Sequence, residues 1–111
     1  MNIQVEDSSG NVFKDLGLLN AEARLAKAEI ASQIYDLVEK KRLTQAKVAK
    51  LLDITQPKVS CLLKGNLRGF SLERLLRFLN ILGQDVKIST SPSRSGIGHM
   101  TVKPSIAAMR R

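Results

Sequence analysis

Two short helical patterns joined by only three residues, Gln45 to Leu52 and Gln56 to Lys64, constrain this chain more than any other feature. Helices joined so closely must cross at short range. That requires a small residue at the contact, an apolar plug in the turn and apolar residues returned from the second helix. Ala49, Ile54 and the pair Val59 and Leu62 supply these in order, with Val48 and Leu52 as their partners. Thr44 is placed to cap the first helix, Asp53, Ile54 and Thr55 form the turn, and Gly65 stops the second helix. Pro57 fits a first helical turn, where its missing N–H would be unpaired anyway. Either Thr55 or Gln56 is the cap, because a residue before proline is pushed out of helical angles.

The rest of the chain divides around this unit. Ala23, Ala26, Ile30, Ile34, Leu37 and Val38 recur at helical spacing from Ala21 to Arg42, with Asn20 as the cap and Lys40, Lys41 and Arg42 at the negative end of the dipole. At 1.5 Å per residue this helix spans roughly 33 Å, and its surplus N-terminal half is expected to pack on a second subunit. Ser71 caps a helix from Leu72 to Leu82, Phe70 and Leu75 have the spacing of a hydrophobic staple, and Gly83 ends it. Ile3 and Val5 alternate as a short strand before the turn cluster Ser8, Ser9, Gly10 and Asn11. Val86 and Ile88 alternate likewise, and could pair with that first strand or with their own copy in another subunit. From Ser91 onward Ser, Pro, Gly and four basic residues prevail, the composition of a mobile tail, although residues 105–111 could form a helical turn. The expected architecture is all-α, about five helices with short terminal strands. It divides into an N-terminal arm (1–19), a core domain (20–90) and a basic tail (91–111).

Composition narrows the chemistry. A chain of 111 residues is about one small domain. With one Cys and one His it can form neither an intrachain disulfide nor a clustered zinc site, so no metal is expected. The dinucleotide-binding GxGxxG pattern, the phosphate loop GxxxxGK[ST] and the GxSxG nucleophile turn are all missing. His99 sits in the polar tail with no partner in view. Neither a cofactor nor an enzymatic activity is expected. Trp is absent and aromatic residues are 4%, which argues against stacking unpaired bases. No run of about 18 apolar residues could span a bilayer, and the first twenty residues lack a signal-peptide pattern, so a cytoplasmic protein without a membrane partner is expected. The net charge is +8, unevenly placed: residues 1–43 carry six basic and seven acidic side chains, residues 44–111 twelve basic and three acidic. A polyanionic partner for the second part follows.

On the second short helix Val59, Leu62 and Leu63 form the inner stripe, so Gln56, Pro57, Ser60, Cys61 and Lys64 are expected to face outward. Gln56, Ser60 and Lys64 lie four residues apart on one line. Such a helix suits the major groove, where Gln makes a two-pronged bond to adenine and Lys58 or Lys64 reaches phosphate or guanine acceptors. Cys61 is either a small contact to a thymine methyl or an incidental small residue. Thr55 opens the helix. Thr44, Gln45 and the free backbone donors opening the first helix can bind phosphate. Lys47 and Lys50 flank that helix, while Asn66 and Arg68 follow the second in a loop expected to meet the DNA backbone. Arg74 and Arg77 could be no more than the solvated face of the last helix.

Residues 44–65, TQAKVAKLLDITQPKVSCLLKG, resemble the helix-turn-helix of the Cro/C1-type repressors, also called the XRE family, and about 45 residues through Leu82 fit that core. More narrowly, the segments SSGNVFKDLGL, TQPKVSCLLKG and GFSLERLLRFLNILGQDVKI, with the long first helix, resemble the HigA-like antitoxins. The family often has glycine in the turn where this chain has Asp53. The resemblance implies a lambda-repressor-like fold, a phosphate contact from Gln45, a homodimeric repressor on inverted-repeat double-stranded DNA, control of its own operon, and a RelE-like toxin as partner. The acids Glu6, Asp7, Asp15, Glu22, Glu29, Asp36 and Glu39 would then face a basic toxin. A different class of function is an interaction module that holds a toxin or other protein on a helix-turn-helix scaffold without reading DNA. Lys58 and Lys64, with no acidic residue from 54 to 72, favour DNA.

Overall fold

The computed structural model describes residues 9–103. Four helices follow one another, α1 (Ser9–Lys40), α2 (Gln45–Leu52), α3 (Gln56–Leu63) and α4 (Leu72–Ile81), and no strand occurs among the described residues. The count is four where about five were expected. The Ile3–Val5 strand and the helical turn at 105–111 lie outside the described residues.

α1 begins well before the expected start at Ala21. It has 32 residues, about 48 Å at 1.5 Å per residue, and Asn20 lies inside it rather than capping it. The expected turn at Ser9, Gly10 and Asn11 is helical as well. Glycine in a helix costs about 1 kcal/mol relative to alanine, which weakens the helix without forbidding it, so Gly10 and Gly17 do not break α1.

The core forms where α1 packs on α4 and crosses α3 while α2 packs on α3. Ile34 of α1, Val48 of α2, Val59 and Leu62 of α3 and Leu75 of α4 are almost fully enclosed, and Ile30, Val38, Leu52, Phe70, Phe78, Leu79 and Leu82 surround them. Burying a side chain of this size is worth about 1.5–3 kcal/mol. Val48 and Leu52 of α2 and Val59 and Leu62 of α3 belong to this core, while Gln45, Lys47, Lys50, Gln56, Pro57 and Lys58 stay exposed.

All four helices end the same way. The residue after each last turn is left-handed: Arg42 at φ 54°, Asp53 at φ 57°, Gly65 at φ 83° and Gly83 at φ 94°. The next N–H then reaches back five residues, Leu43 to Val38 (3.0 Å), Ile54 to Ala49 (3.1 Å), Asn66 to Cys61 (2.9 Å) and Gln84 to Leu79 (2.9 Å). Asp53 therefore occupies the conformation that glycine adopts most easily.

Beyond α4 one expectation finds no counterpart in the described chain and another is corrected. Residues 84–93 run without helix, turn or bend, so Val86 and Ile88 form no strand within the described chain. Period-two alternation is only half of a strand, and the other half is a backbone partner. His99, expected to stand alone, is 2.7 Å from a Glu22 carboxylate oxygen, and the backbone N–H of Met100 donates to the other oxygen at 3.0 Å. The bend at 94–97 that turns the chain back is closed by Ser93 and Ser95, whose hydroxyls donate to the Ile97 carbonyl at 3.0 and 3.2 Å. Val102 then packs, half-buried, against the core.

Candidate nucleic-acid interface

The two short helices are held at their starts by side-chain caps. Thr44 Oγ1 accepts the Lys47 N–H at 3.1 Å, and Thr55 Oγ1 accepts the Lys58 N–H at 3.4 Å. Thr55 is thus the cap of α3, with Gln56 as its first residue and Pro57 next. The alternative, Gln56 as cap, is excluded by its helical backbone. Ser71 Oγ caps α4 in the same way, accepting the Arg74 N–H at 3.1 Å. Each cap satisfies one of the N–H groups that open a helix, and the others stay available to an anion.

The residues singled out by sequence fall into two groups. Thr44, the cap of α2, and Gln45, Lys47 and Lys50 on that helix are exposed, as are Thr55, Gln56, Pro57 and Lys58 at the start of α3 and Lys64, Asn66 and Arg68 at and beyond its end. Ser60 and Cys61 are half-buried, a correction to their expected outward placement. With Val59 and Leu62 fully enclosed on an eight-residue helix, the intervening positions are drawn partly into the packing against neighbouring helices. The line Gln56, Ser60, Lys64 therefore offers free ends and a recessed middle.

Among the described residues Lys47, Lys50, Lys58, Lys64 and Arg68 form no ion pair, since the pairs present are Arg77–Glu73 and His99–Glu22. Their charge is uncompensated locally. Arg77 and Glu73 meet at 2.8 Å while both side chains are more than 70% exposed, a pair of the kind worth little to stability. Arg74 departs from the solvated-face expectation: it is half-buried, its guanidinium 5.5 Å from the centre of the Phe70 ring and 5.7 Å from that of Phe78. The two rings meet edge to face at 5.9 Å, so Arg74 closes an aromatic pair that anchors the loop before α4.

The Glu22 clasp is a polar arrangement that the sequence did not signal. The Met100 N–H first, and the His99 ring second, hold the Glu22 carboxyl below its ordinary value by bonding to the charged form. No local pattern could have found it, because its members lie on segments far apart in the chain.

No group of three or more His, Cys, Asp or Glu that could hold a metal occurs among the described residues, and no helix there is long and apolar enough to cross a membrane. Residues 12–91 match the family model described as a helix-turn-helix domain. A solved structure named as an XRE family transcriptional regulator is similar to this chain at 39% identity and a TM-score of 0.69, over 78% of this chain and 99% of that one. No curated protein matches the chain. Capped α2, a left-handed turn residue, Pro-started α3 and an unpaired cationic surface thus occur in a sequence that aligns with that regulator over most of its length, and the chain belongs to the XRE family of helix-turn-helix DNA-binding transcription regulators.

Proposed function

We propose that this protein is a sequence-specific duplex-DNA binder, a homodimeric repressor acting in the cytoplasm at an inverted-repeat operator. The observation that carries the reading is the set of exposed cations at the two ends of α3, Lys58, Lys64 and Arg68, none of them in an ion pair among the described residues, beside the exposed start of α2. In this reading Gln56 and Lys64 read base edges in the major groove, with Ser60 and Cys61 as recessed contacts between them. Thr44, Gln45, Lys50, Thr55, Pro57, Lys58, Asn66 and Arg68 fix the register on phosphates. No cofactor or metal enters the scheme.

Selection of bound fragments from a random duplex pool tests it. The expected product is an inverted repeat whose half-sites lie about one helical turn, roughly 34 Å, apart or a multiple of it. Failure to enrich any sequence, with the protein folded, would leave the scaffold reading in its place.

The finer reading is an antitoxin that represses its own operon and neutralises a RelE-like toxin. Its support is the surface of α1, where Glu29, Asp36 and Glu39 are exposed together with Leu25 and Tyr35, 62% and 44% exposed. Acidic and apolar side chains on one helix suit a basic protein partner. Co-expression of an adjacent-gene toxin with the full chain, and with a truncation beginning at Ala21, tests this reading. Rescue of growth and a stable complex with the full chain are expected. If the full chain bound no adjacent-gene product, the antitoxin role would fall while DNA binding stood.

A further inference from the structure

We infer that residues 85–91 form the edge at which two copies of this chain join, pairing antiparallel about a two-fold axis through Ile88. The inference rests on the dimer reading above and gives that dimer an interface.

The left-handed Gly83 ends α4, and the segment that follows carries no turn or bend. Val86 is half-buried against the core. Ile88 falls on the same side by the period of two, yet it is 79% exposed, the most exposed large apolar residue described. Ile81, in the last turn of α4, is 50% exposed. Among the described residues no backbone N–H or C=O of residues 85–91 has a backbone partner. An unpaired, alternating, β-branched edge with one large apolar residue left in water is a template for a second strand.

The sequence of the segment selects both the occupant and the register. A copy of the same segment presents the same unpaired edge, and a two-fold axis makes the contact self-complementary. Centring the pair on Lys87 would set two ammonium groups directly opposite each other, which is destabilising. Centring it on Val86 would draw Gly83 and the end of α4 into the ladder. Centring it on Ser89 would place Pro92, which lacks an N–H, opposite Val86 and within the ladder. Centring it on Ile88 sets Ile88 against the partner's Ile88, Val86 against the partner's Thr90 and Lys87 against the partner's Ser89, with Pro92 falling at the end. Each copy then covers the apolar residue that the other leaves exposed. Val86 of each ties the ribbon to its own core, which a two-stranded ribbon needs for stability.

Disulfide trapping and sedimentation of the full chain test this. Residues directly opposite across an antiparallel pair have Cα atoms about 4.5–5.5 Å apart, inside the disulfide range. Ile88→Cys should therefore convert to a covalent dimer on mild oxidation, while Lys87→Cys and the wild type, with Cys61 alone, should not. Ile88→Lys should sediment as a monomer at micromolar concentration and bind a single half-site as the wild type does. A wild-type dimer that Ile88→Lys leaves intact and Ile88→Cys does not trap would place the interface elsewhere and overturn the inference, with DNA recognition untouched. Trapping through Lys87→Cys instead would overturn the register. A wild-type monomer, alone and on DNA, would overturn both the interface and the dimer. Trapping at Ile88 in a protein that selects no DNA would uphold the interface and sink the repressor reading.

Discussion

The Glu22 carboxylate of α1 and the His99 ring of the tail meet at 2.7 Å across 77 positions of sequence, and the neighbouring Met100 N–H completes a clasp on the same carboxylate. The clasp sets a pH dependence for docking of the tail. Because Glu22 is lowered when docked, its contribution is fully present above the ordinary carboxylate value and is lost as pH falls through the lowered one. The Met100 amide resonance should accordingly move to its random-coil position over that acid range. At neutral pH Glu22→Ala should speed tryptic cleavage after Arg94 while the helical circular dichroism is kept. Equal cleavage rates in the variant and the wild type would show that the clasp does not hold the tail.

Arg42 and Asp53 take the left-handed conformation at the ends of α1 and α2, where a side chain costs about 1–2 kcal/mol, less for Asp. Arg42→Gly and Asp53→Gly should each relieve that strain, offset in part by the greater entropy of glycine in the unfolded chain, for a net gain of about 0.5–1 kcal/mol. Urea unfolding midpoints measure it. A loss of stability at both positions would mean that the side chains contribute more than the backbone conformation costs.

Thr55→Ala removes the cap of α3 and should cost about 1 kcal/mol. Ile34→Ala, at a fully enclosed site between α1 and the other helices, should cost about 2–5 kcal/mol, a large part of the stability of a domain this small. Thermal unfolding of the two variants should preserve that order.

How much of this was legible in the sequence depends on the range over which each signal acts. The caps Thr44 and Ser71, the proline start of α3 and the stops at Gly65 and Gly83 were readable because a cap or a left-handed turn is decided within a few residues. The start of α1 was misread because Ser9, Gly10 and Asn11 resemble a turn and Asn20 a cap, whereas a helix tolerates an isolated glycine or asparagine at modest cost. Val86 and Ile88 carry the alternation of a strand without a partner in the described chain, so the pattern was present and the element was not. In the candidate site, the exposure of Gln56, Lys58 and Lys64 followed from the inner stripe Val59 and Leu62. The recession of Ser60 and Cys61 did not, since it depends on how closely neighbouring helices approach. Glu22 with His99 is a tertiary contact that no spacing rule encodes, whereas Arg74 stands four residues from both Phe70 and Phe78, a helical-neighbour spacing already present in the sequence.

If the cations around α3 anchor rather than read, Lys50→Ala and Arg68→Ala should weaken binding to all duplexes alike. Each should lower the slope of log affinity against log salt by about one. An unchanged salt slope in both would remove these residues from the phosphate contacts.

If the start of α3 reads sequence, Gln56→Ala, measured for binding across every single-base variant of a selected half-site, should lose about 1–3 kcal/mol on the preferred site together with discrimination at one base position, the other positions keeping theirs. Unchanged affinity and an unchanged pattern of base preference would contradict that role.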